Sequence, residues 1–68
     1  MMIQYYYDDD SVFDHFKTGM FDSDEEAIEW ADSINYIFRP NKSILFRDGT
    51  AEEGTNFVEV KHYYKNPA

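Results

Sequence analysis

Residues 23–38 read SDEEAIEWADSINYIF, and this stretch decides the fold. With about 100° between successive residues, Ala27, Ala31, Ile34 and Phe38 fall on one stripe. Trp30 and Ile37 flank it on one side and Ile28 on the other. Glu25, Glu29 and Asp32 gather on the opposite side with Tyr36. This is an amphipathic helix, one face made for a core and the other a row of carboxylates facing water. Its ends are written locally. Ser23 and Glu26 form a capping box, and Asp22, Asp24 and Glu25 suit the positive end of the helix dipole. Pro40 disfavours helical geometry at Arg39, so the helix finishes near Ile37 or Phe38.

Working outward, residues 2–7 read as a strand closed by Asp8, Asp9 and Asp10. Alternation puts Ile3, Tyr5 and Tyr7 on one face and Met2, Gln4 and Tyr6 on the other. Residues 11–18 are expected to form a short first helix, capped by Ser11 and ended by Gly19, with Val12, Phe13 and Phe16 on its apolar edge. Eight residues hold no helix alone in water, so this one must dock. A second strand covers residues 43–47. A polar connection with the turn signal Asp48-Gly49 follows, and residues 57–64 form the third and longest strand.

The reading is one α+β domain over residues 1–68, in the order β-α-α-β-β. A three-stranded antiparallel sheet carries the main helix on one face. The expected core sets Ile3, Tyr5, Ile44, Phe46, Val58 and Val60 against Ala27, Ala31, Ile34 and Phe38. The same alternation leaves Tyr6, Leu45, Phe57 and Tyr63 on the far side of the sheet, a large apolar patch for a small soluble chain. Either the first helix covers it or another chain does.

A chain of 68 residues buries only about 60% of the surface its unfolded form exposes. Without cysteine it has no disulfide or thiolate metal site. Its compensation is aromatic: one Trp, six Tyr and six Phe, each large ring burying roughly 150–250 Å². The net charge is −8 and it is uneven. Residues 1–35 hold ten acids against Lys17 alone, and residues 36–68 hold four acids against five bases. That sign opposes duplex nucleic acid and anionic membranes and favours a partner with a basic surface. No signal peptide or span of about 20 apolar residues is present, which gives a cytoplasmic expectation.

Candidate chemistry is sparse. The acids at 8–10 and 14 do not fit a calcium loop: counting from Asp8, the sixth position is Phe13 where glycine is needed, and counting from Asp22 it is Ala27. His15 and His62 are too few for a zinc site without recruited carboxylates. Ser11, Asp14 and His15 lie within one helical turn, but Asp14 points away from the other two. Gly19, Gly49 and Gly54 are isolated and make no phosphate loop. The expectation is therefore no catalytic residue, no metal and no cofactor.

What remains is binding, and two surfaces offer it. The first is the acidic helix face, with Asp24, Glu25, Glu29 and Asp32. The second is the aromatic sheet face, with Tyr6, Leu45, Phe57 and Tyr63. The leading expectation is a small acidic non-enzymatic protein that binds a protein partner through one of them. A homodimer and a single-stranded nucleic-acid or small-ligand binder using the sheet tyrosines are the alternatives. In composition the chain is similar to small acidic phage proteins that block host defence or host nucleases. No motif carries that likeness; it implies phage origin and the host cytoplasm.

Overall fold

The computed structural model describes residues 2–10, 16–54 and 56–64. It is α+β, with four strands and one helix: β1 (Ile3–Asp9), β2 (Lys17–Phe21), α1 (Asp24–Phe38), β3 (Lys42–Asp48) and β4 (Phe57–Tyr64). The strands form one antiparallel sheet in the order β2-β1-β3-β4.

The helix follows its local signals. Ser23 lies in extended backbone, and its Oγ accepts from the Glu26 N–H at 3.3 Å. At the other end Arg39 turns left-handed (φ 48°, ψ 52°), and its N–H donates to the Asn35 carbonyl at 2.8 Å. Pro40 then prevents continuation. No helix of the described residues is long and apolar enough to cross a membrane.

The first departure from expectation is β2. Lys17 and Thr18, assigned to a short helix, lie instead in a strand paired with β1 from Ile3↔Phe21 to Tyr7↔Lys17; residues 11–15 of that expected helix lie outside the described residues. Among the described residues the order is thus β-β-α-β-β, with four strands rather than three. A strand here gains ladder hydrogen bonds along β1, whereas an eight-residue helix has to be stabilised by docking alone. Gly19 suits the place. A Cβ there would stand 2.8 Å from the Phe21 ring and 3.5 Å from Trp30, the two rings that close this corner at a centroid distance of 5.2 Å.

The second departure is which face of β3 is buried. Leu45, not Ile44 or Phe46, faces the helix and is fully buried with Tyr5, Tyr7, Ala27 and Ala31; Ile34 completes the core. Phe38, expected in the core, is 41% exposed. Two alanines on the helix let it approach closely enough for the tyrosine rings to fill the layer between. The polar tips of those rings find partners at its margins. Tyr5 Oη donates to Asp24 Oδ1 at 2.5 Å, and Asn35 Nδ2 donates to Tyr7 Oη at 3.4 Å and to Ser43 Oγ at 3.3 Å. Among the described residues no buried side-chain nitrogen or oxygen lacks a partner.

A bulge explains the rest. Leu45 pairs with Lys61 but Phe46 pairs with Glu59, so Val60 falls between them. Strict alternation would send Val60 and Tyr63 to opposite faces. The extra residue lets Val60 and Tyr63 both pack against the core, while His62 moves to the far face opposite Ile44. One inserted residue inverts the facing of everything beyond it.

Candidate interaction surface

Tyr6 leaves β1 on the side away from the helix, and its neighbours across the sheet build an aromatic cluster around it. Tyr6 and Phe46 are paired in register and stack at 5.0 Å. Phe57 stands edge-on to both, at 5.9 Å from Tyr6 and 5.5 Å from Phe46. Phe16 adds a fourth ring 6.0 Å from Tyr6. Phe16 and Phe57 remain 47% and 54% exposed, so the cluster opens to solvent at both ends.

Carboxylates stand among these rings. The Tyr6 hydroxyl donates to Asp48 Oδ1 at 2.7 Å, and this bond to an anion raises the hydroxyl pKa. Glu59 lies opposite Phe46, with its Oε2 2.5 Å from His62 Nε2. The His62 ring is stacked on Tyr64. Asp8 lies opposite Ile44. Asp10, whose Oδ1 accepts from the Lys42 N–H at 3.3 Å, stands with Lys42 at the same end, so the residues named here are four carboxylates against one ammonium.

Of the sheet residues singled out by sequence, Tyr6 and Phe57 do come together. Leu45 and Tyr63 do not: both lie on the helix side. Ile44 and Phe46 occupy the far face instead, hidden from alternation because β3 is apolar on both sides, and Phe16, expected on the edge of a short helix, packs there beside Tyr6.

The acidic helix residues divide in two. Asp32 accepts from Tyr63 Oη at 2.5 Å and from Lys61 Nζ at 3.0 Å, tying the helix to β4. Burial alone would raise the Asp32 carboxyl, but those two donors outweigh it and hold it below its ordinary value. Burial first, and then the bond to Asp32, pushes the Tyr63 hydroxyl well above the usual tyrosine range. Asp24 accepts from Tyr5, and Arg47 Nε lies 3.7 Å from it. Glu25 and Glu29 are exposed on the helix surface. Two of the four carboxylates are therefore engaged in holding the fold together.

Arg47 extends this network to the β3–β4 connection. Its guanidinium grips Glu53 with two bonds, at 2.9 and 2.7 Å, while the Thr50 N–H donates to Glu53 Oε1 at 2.9 Å. The Arg47 bonds, helped by Thr50, lower the Glu53 carboxyl from 4.5 to about 2. A carboxyl depressed by folding adds stability above its unfolded value and loses that contribution as pH falls through its folded one. Thermal melts should therefore show stability falling between about pH 4.5 and 2, and Glu53→Gln should flatten part of that fall. An unchanged acid limb in the variant would remove Glu53 from the account.

Among the described residues no group of three or more His, Cys, Asp or Glu is placed to hold a metal ion; Asp14 and His15 lie outside them. What the far face offers is contact area: three rings carried by the strands and Phe16 just ahead of β2, with anionic groups set beside them. Compared with known protein families, curated proteins and solved structures, the chain matches none of them.

Proposed function

We propose that this is a non-enzymatic interaction protein that binds a protein partner with a basic surface through the far face of its sheet. The observation that carries the reading is the open cluster of Tyr6, Phe16, Phe46 and Phe57. Aromatic rings fixed by a scaffold supply contact area at little entropic cost, and such rings dominate the energetics of protein interfaces. The sheet edges are less inviting. β2 is only five residues long, and β4 carries the bulge together with Glu59 and Lys61, features that discourage strand addition. The net charge of −8 steers basic partners towards the chain.

The test compares two surfaces. In capture from cells of the encoding organism, Phe57→Asp should lose a specific partner that wild type retains, with a drop in affinity of about 30-fold or more, as for a buried interface anchor. The pair Glu25→Lys and Glu29→Lys should retain it. The reverse pattern would move the site to the acidic helix. Light scattering with a mass near twice 8.1 kDa would instead support the homodimer.

A further inference from the structure

The far face repeats one arrangement on three adjacent strands: an aromatic ring and, two residues on, a carboxylate. The dyads are Tyr6 with Asp8 on β1, Phe46 with Asp48 on β3, and Phe57 with Glu59 on β4. A separation of two keeps each pair on one face, about 7 Å apart along the strand. Because β1 and β3 run antiparallel, Tyr6 and Phe46 meet at the centre while Asp8 and Asp48 lie towards opposite ends. Glu59 closes the β4 side, opposite Phe46. The result is an aromatic centre with carboxylates on three sides.

We infer that this face selects arginine, and that its occupant is an arginine-bearing segment of a partner protein. The inference rests on the reading of the face as an interaction surface and names the chemistry that fills it. A guanidinium is planar, weakly hydrated and always charged. It lies flat on an aromatic ring and at the same time presents a fork of N–H donors to a carboxylate. The dyad supplies both halves within one side chain's reach. A lysine ammonium carries the same charge, but it is compact and strongly hydrated and cannot stack as a plane. An apolar segment would bury Asp8, Asp48 and Glu59 and offer them no cation of its own, which costs free energy. A second copy of this chain would bring three more carboxylates against these three, in a dimer of two strongly acidic chains.

The experiment uses the full chain and three synthetic glycine-spaced peptides carrying three arginines, three lysines or three citrullines. Binding is read by fluorescence anisotropy at physiological salt. The arginine peptide should bind roughly three- to fivefold tighter than the lysine peptide, the margin expected of a stacked cation, and the citrulline peptide should not bind measurably. Phe57→Ala, at a half-exposed position whose effect on the fold is checked by circular dichroism, should erase the preference for arginine while leaving lysine binding within about twofold. Asp8→Asn combined with Glu59→Gln should weaken both cationic peptides. Equal affinity for arginine and lysine would overturn the inference, leaving only attraction to net charge. Binding undiminished in the Asp8/Glu59 variant would overturn it too, as would no binding at all. A dimer abolished by Phe57→Asp would assign the face to a second copy. If partner capture still depends on Phe57 while the peptides are not discriminated, arginine selection alone fails. If capture ignores Phe57, the interaction surface itself fails.

Discussion

Leu45→Ala is expected to destabilise the protein by about 2–5 kcal/mol, and Ile44→Ala, one residue earlier, by less than half as much. Leu45 is fully buried beneath Ala27, Ala31 and Ile34, whereas Ile44 is only partly covered on the far face. The loss is large for this chain, since domains of this length have a total stability of roughly 3–10 kcal/mol. Urea unfolding followed by the fluorescence of Trp30, the single tryptophan, measures both variants. That probe suits the purpose because Trp30 packs on Phe21 against the core. Equal losses, or a larger loss at Ile44, would mean that β3 sits in the other register.

Tyr5→Ala should cost about 3–5 kcal/mol, the range for removing a buried ring, and Tyr5→Phe only about 1 kcal/mol, the net worth of one hydrogen bond. The ring is fully buried, edge-on to Phe21 at 5.8 Å. The hydroxyl alone reaches the Asp24 carboxylate beside Arg47. Burial first, and then the bond to Asp24, raises the hydroxyl pKa from 10.0 to about 12. A group raised by folding contributes fully below its unfolded value and is lost as pH climbs through its folded one. Wild type should therefore lose stability between about pH 10 and 12, and Tyr5→Phe should lose less over that interval. An alkaline limb identical in both proteins would show that folding does not raise the Tyr5 hydroxyl.

The helix was legible almost residue by residue, because every signal that places it is local. A serine cap, acids in the first turn, a 3.6-residue apolar repeat and a proline two residues past the end act within a few positions of where they stand. The span of β4 was legible for the same reason, from its flanking loop residues and its β-branched and aromatic content. β2 was not. KTGMF has no alternation of its own and becomes a strand because β1 offers it an edge and Trp30 offers Phe21 a contact.

Half of the candidate surface could be read, and the reason for the missing half is physical. Tyr6 and Phe57 lie at places that simple alternation handles correctly. Alternation misplaces Leu45 because Ile44, Leu45 and Phe46 are all apolar, so period two cannot say which faces the core. Arg47 misleads as well: it reads as a solvent residue, yet it lies on the helix side with its head at the rim, bonded to Glu53 and near Asp24. Tyr63 was lost to the bulge at Val60, which has no marker in sequence.

By itself, then, the sequence determined an acidic α+β chain, a helix with defined ends, and more apolar strand positions than one helix can cover. Each follows from composition or from interactions a few residues long. Only the tertiary structure decided which side of β3 is buried, that β2 exists, and that Asp24 and Asp32 bind the sheet from the helix. It also decided that three ring–carboxylate dyads on separate strands share one face. These depend on register between segments distant in the chain, and a slip of a single residue in that register exchanges the core with the surface.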